Sequence, residues 1–182
     1  MRLTMRHLHD ENADDVRRHM VVEFESDRAG GRLYQSRQLT EEGLRGWPAL
    51  LESALREGDD ASLADDVRGS GWLLREAPRR TPSGGTTMAK VPHTAPDTLA
   101  MGQVQLYYLR AVCAQAIALG RRVRCVRLRE SANPRPESEA LVGALFDPEE
   151  LLADLRARGV HENFLGVPRG ANSGLGVEIA EA

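Results

Sequence analysis

The stretch from Thr94 to Gly120, TAPDTLAMGQVQLYYLRAVCAQAIALG, decides how this chain is built. Leu99, Val104, Leu106, Leu109, Val112, Cys113, Ala116, Ile117 and Leu119 recur at helical spacing. Tyr107, Tyr108, Ala111 and Ala114 fill the flanks between them. A stripe this wide exceeds what a surface helix needs, so the segment predicts one long helix covered on nearly every side. Thr94 with Asp97 three residues later reads as a capping box, Pro96 suits the first turn, and Gly120 supplies a left-handed stop. Leu106, Leu109, Val112 and Ile117 are expected in the main core.

The rest of the chain is arranged around that helix. Arg2–His9, Val16–Ser26 with its MVVEFES run, and Gly31–Leu39 after the turn DRAGG read as extended segments, which predicts N-terminal antiparallel strands. Thr40 then caps a helix whose apolar face is Trp47, Leu50, Leu51, Ala54 and Leu55. Pro48 is expected to kink or restart it, and Gly58 to end it. A second helix follows at about Asp60–Arg68, closed by Gly69. Residues 69–93 carry Pro78, Pro82, Pro92 and the Gly84-Gly85 pair and show no clear regular element. They read as an irregular loop or flap, a connector, or an unrecognised hairpin.

Beyond the long helix, Arg121–Arg129 reads as a strand whose broken alternation at Cys125-Val126 suits an internal position or a bulge. SANPRPESEALVG is read as irregular. Asp147-Pro148-Glu149-Glu150 opens a helix with Leu151, Leu152 and Leu155 inward and Gly159 as its stop, and Leu175–Ala180 closes as a strand. Strands followed by interspersed helices predict an α+β fold. The expectation is a single globular domain over 1–182, with a long buried central helix and further helices packed on a mixed sheet.

Composition narrows the functional classes. The 182 residues are 41% hydrophobic and 28% charged, with a net charge of −3. Mean hydropathy is −0.41 and the pI about 6.0. No apolar run approaches a bilayer span, and MRLTMRHLHDEN lacks the apolar core of a signal peptide, so a cytoplasmic protein with no membrane partner is expected. Cys113 and Cys125 have neither zinc nor redox spacing and read as buried apolar residues. Two Trp, three Tyr and three Phe leave little for base stacking. With the negative net charge, that disfavours nucleic acid as the main partner, although a local basic face is compatible with it.

Candidate chemistry falls in two places. His7 and His9, two apart on an expected strand, would share a face and could offer two imidazoles to a metal, with Asp10 or Glu11 beside them. The solvated end of a hairpin is the competing interpretation, and no metal or cofactor is expected. The second place is Arg122–Glu139, where Arg122, Arg124, Arg127, Arg129 and Arg135 lead into Glu130, Glu137 and Glu139. Five cations close together call for an acidic counterpart, which predicts a partner-binding surface for a protein, or for self-association through an acidic face. The arginine strand would suit pairing with a neighbour's edge. The resulting expectation is a non-catalytic binding or assembly subunit of a larger intracellular complex, a class that includes virion and mobile-element assembly components. The alternative is a hydrolytic or nucleic-acid-processing enzyme using His7/His9 or Glu130/Glu137/Glu139. TPSGGTT lacks the lysine of a phosphate-binding loop, and GVPRGANSG is not a nucleophile elbow.

Overall fold

A computed structural model describes residues 13–128, 136–158 and 174–181. The order of elements is α1 (Ala13–Ala29), α2 (Glu41–Arg56), α3 (Asp60–Ser70), β1 (Glu76–Arg80), β2 (Thr86–Lys90), α4 (Ala95–Ala118), β3 (Val123–Arg127), α5 (Pro136–Leu141), β4 (Leu145–Phe146), α6 (Pro148–Arg158) and β5 (Leu175–Ile179). This is an α+β fold, as expected, organised around α4. That helix has 24 residues and spans about 36 Å. It packs against α1, α2, α3, α6 and β5, which explains why its apolar residues encircle it rather than forming one stripe. Leu106, Leu109 and Val112 are buried in the core, while Ile117 packs against it partly exposed.

The start of α4 differs from the sequence expectation. Thr94 lies at φ −85° and ψ 1°, outside the extended region a capping side chain requires, and makes no side-chain cap. Asp97 instead accepts from Arg68 Nη2 at 2.9 Å, tying α4 to α3. The far end is as expected, with Gly120 at φ +64°.

The expected N-terminal strands are corrected more strongly. Val16–Ser26 lies within α1, a 17-residue helix, and 31–39 holds no strand beyond the isolated bridge of Leu39 with Leu73. Val16, Met20 and Phe24, at intervals of four, face the core together with Glu23 and Asp27, whereas Val22 is 63% exposed. That is a helical period; the β-branched pair at its centre does not outweigh it once α4 supplies a surface to bury it against. Arg2–His9 lies outside the described residues.

Thr40 caps α2 as expected, its Oγ1 accepting from Gly43 N at 3.0 Å. Pro48 is accommodated inside one continuous helix, which ends at Arg56, before Gly58. Helix α3 begins with a reciprocal cap between Asp59 and Ser62, and its left-handed stop is Gly71, not Gly69.

Residues 69–93 contain the hairpin that the sequence offers as one of three options: β1 and β2 pair antiparallel from Glu76–Lys90 to Arg80–Thr86. The other sheet has the order β4-β3-β5, so β3 is internal, as its pattern implies. Both pairings are antiparallel, which corrects the expected mixed sheet. The irregular reading of SANPRPESEALVG gives way to α5 where residues are described. Asp147 Oδ1 caps α6 by accepting from Glu149 N and Glu150 N at 2.9 and 3.1 Å, and Leu151, Leu152 and Leu155 are buried. The side chain of Gln105 on α4 donates to Leu175 O at 2.7 Å, fixing β5 on the helix.

Candidate functional site

The arginines of the β3 region fall into two groups. Arg124 faces Glu178 of β5 at 3.8 Å, and Arg127 pairs with Glu139 of α5. Glu139 is therefore a counter-ion to Arg127, and Glu137 is exposed in the first turn of α5. β5 pairs along the whole of β3 and β4 pairs with Val123 and Arg124 on its other side, so the arginine strand is internal to its sheet, which corrects the expectation that it offers an exposed edge to a neighbour. Arg129, Arg135, Glu130, His7 and His9 lie outside the described residues. Among the described residues, no group of three His, Cys, Asp or Glu side chains is placed to hold a metal ion.

Arg122 stands apart. It is exposed just before β3 and, among the described residues, donates only to the backbone carbonyls of Leu145 and Phe146, at 3.3 and 3.5 Å. Among the described residues no carboxylate forms an ion pair with it. The elements explain its position: Gly120 turns the chain out of α4, Arg122 follows at the mouth of β3, and β4 returns alongside. Leu119, Arg121, Arg122, Leu145, Ala180 and Glu181 line an open groove of about 460 Å³ here. Leu119 is 57% and Leu145 48% exposed. A cation between two exposed leucines is the composition of a contact site, where apolar area supplies affinity and the charge sets orientation.

A second polar constellation lies inside the fold, and the sequence reading missed it. Asp27 of α1 accepts from Arg110 Nη1 at 2.6 Å and Tyr107 OH at 3.2 Å, both from α4. Arg32 Nε adds a bond of 3.1 Å from the loop after α1. Arg110 also donates through Nη2 to Leu155 O of α6 at 2.9 Å and lies over the Tyr107 ring. One turn back, the buried Glu23 accepts a two-pronged bond from Arg156 of α6, with Nε at 3.0 Å. The network thus binds three helices in register, and its carboxylates are occupied by cations rather than left open to a substrate. One signal was available: Arg110 is the only charged residue between Asp97 and Arg121. An arginine inside such an apolar run requires a buried acid.

Burial also pushes the Tyr107 hydroxyl above its ordinary range, with the charge of Asp27 reinforcing the effect. The Cys113 thiol rises to about 12, through burial first and Glu23 second. Cys125 rises to about 11 by burial, opposed by Arg127. Both cysteines are free and buried, in agreement with their reading as apolar residues and not as reactive thiolates. Among the described residues, no helix is long and apolar enough to cross a membrane.

Compared with protein-family models, curated proteins and solved structures, the chain has no significant match.

Proposed function

We propose that this protein acts by binding, as a subunit of an assembly, and that it docks an acidic protein face on the groove around Arg122. The observation that carries this reading is the contrast among the β3 arginines. Arg124 and Arg127 face carboxylates of their own chain, whereas Arg122 presents its charge beside exposed Leu119 and Leu145. Exposed apolar side chains next to a cation without a carboxylate partner favour a complementary surface with an acid at its centre. A second copy is the simplest source, because the chain carries a net charge of −3 and its Asp and Glu outnumber its Arg and Lys by 27 to 24.

Native mass spectrometry of the purified protein tests this. Oligomers are expected at low ionic strength, with their fraction falling as salt screens the attraction. Arg122→Glu should shift the population to monomer at low salt, and Leu119→Ser should do so with weaker salt dependence. A protein that is monomeric under all conditions, or an oligomer indifferent to both substitutions, would remove this reading.

A further inference from the structure

The hairpin formed by β1 and β2 stands away from the core. Its two strands contact each other extensively and no helix to a comparable degree. Only Ala77 is buried, at its base, where the neighbouring Pro78 shares a groove with Tyr34, Ser36 and Leu99. A two-stranded ribbon with a single buried residue gains little from burial and is marginal as an isolated unit. Its chemistry is distinctive. In the 16 residues from Arg75 to Lys90 there are four cations, Arg75, Arg79, Arg80 and Lys90, against the single carboxylate Glu76. All four are exposed, and among the described residues none forms an ion pair. Lys90 is also the chain's only lysine.

The register places these charges on both faces. Glu76 opposes Lys90 and Arg80 opposes Thr86, so Arg80 and Lys90 share one face. Arg79 opposes Thr87 and lies on the other face, together with Arg75, which precedes β1 at the same parity. The tip is ordered. Thr81 N donates to Gly85 O at 2.9 Å, Gly84 N to Thr81 O at 3.0 Å, and the Thr81 and Ser83 hydroxyls lie 3.0 Å apart. Gly84 holds φ +84°, which a side chain would strain.

We infer that this hairpin is a second binding site, a basic ribbon that enters the major groove of duplex DNA and contacts its phosphates. A two-stranded ribbon fits that groove, and phosphate walls flank it on both sides. Cations on both faces match this geometry, whereas a flat acidic protein surface would engage only one face. Arginine, lysine and Ser/Thr hydroxyls are typical phosphate ligands and carry no base preference of their own, so binding is sequence-independent.

Fluorescence anisotropy of a labelled mixed-sequence duplex, titrated with the intact chain from about 50 mM salt upward, tests the inference. Four phosphate contacts give a log–log salt slope near −3.6. Arg79→Gln with Arg80→Gln should lower that slope to about −1.8 and weaken low-salt binding at least about tenfold, with an unchanged circular dichroism spectrum. Both positions are exposed, so the fold does not depend on them. Arg122→Glu should leave the affinity as it was, which separates this site from the groove described above. Absence of binding at low salt, the same affinity in the double variant, or an equal loss in Arg122→Glu would each overturn the inference. Competition by polyglutamate as effective as that by unlabelled duplex would overturn it in favour of an acidic protein.

Discussion

Arg110 and Asp27 meet through a 2.6 Å bond between Nη1 and Oδ2, with only 3% and 7% of their side-chain surfaces exposed. The pair lies between the helix that begins the described structure and the one at its centre, and it converts a nonspecific apolar contact into one with a fixed register. Sliding α1 along α4 by one turn would keep apolar area buried but would leave both charges without partners, at several kcal/mol each.

Removing one partner should therefore be far costlier than removing both. Asp27→Ala is expected to destabilise by about 3–5 kcal/mol, because it strands the Arg110 guanidinium. Combining it with Arg110→Met should cost less than the sum of the single substitutions. Chemical denaturation of the four proteins closes the cycle, and additive losses would show that the two side chains are not coupled.

Leu109 occupies the wholly buried face of α4. Leu109→Ala should cost about 2–5 kcal/mol through lost burial and the cavity left behind. An unchanged denaturant midpoint would mean that the core does not depend on α4.

Gly46 sets two effects against each other. Alanine is favoured over glycine within a helix by about 1 kcal/mol. A Cβ at this position, however, would lie 2.1 Å from Cη2 and 2.7 Å from Cζ2 of the Trp72 ring. The rigid indole must move, so Gly46→Ala should destabilise by a net of about 1–3 kcal/mol. Its signature is a fluorescence shift to longer wavelength as Trp72 leaves its half-buried seat, and a more stable variant with unshifted emission would contradict this packing.

The buried thiols predict a loss of stability in alkali. Cys113 ionises near 9 when unfolded but is held up to about 12 in the fold, chiefly by burial. Its contribution is full below the unfolded value and declines as pH climbs toward the folded one, because only the unfolded chain sheds the proton. The slope approaches about 1.4 kcal/mol per pH unit for each such group. Cys113→Ala should be less stable near neutrality yet lose less on going from about pH 8 to about pH 10, as measured by guanidinium midpoints. Parallel pH profiles for the two proteins would show that the thiol does not titrate differently on folding.

What could be read directly from the residues follows from where each element buries its side chains. The helix over Ala95–Ala118 announces itself by its apolar run and its stop at Gly120, although the cap expected at Thr94 does not form. The cap at Thr40, the start at Asp147 and the inward leucines of α6 announce themselves because apolar period and end signals agree. Helix α1 did not, because Glu23 and Asp27 occupy inward positions in place of apolar residues, and their partners Arg156 and Arg110 lie 133 and 83 residues away. A period with carboxylates at two of its inward places looks broken until those cations are known. The β1–β2 hairpin was hidden for the opposite reason: with only Ala77 buried, its strands have almost no alternation to display. At the groove, Arg122 was identified by charge, but the fact that Arg124 and Arg127 are answered by Glu178 and Glu139 depends on strand pairing.

The bond from Gln105 to Leu175 spans 70 residues, and it sets a timetable. On a translating ribosome, the most apolar helix is completed well before the strand that shields one of its flanks has been polymerised. From the end of α4 at Ala118 to the end of β5 at Ile179, at about 5–20 residues per second, the interval is on the order of 3 to 12 s. Throughout that interval α1, α2 and α3 are already in place to cover α4, but the flank that β5 shields stays open, for longer the slower the elongation.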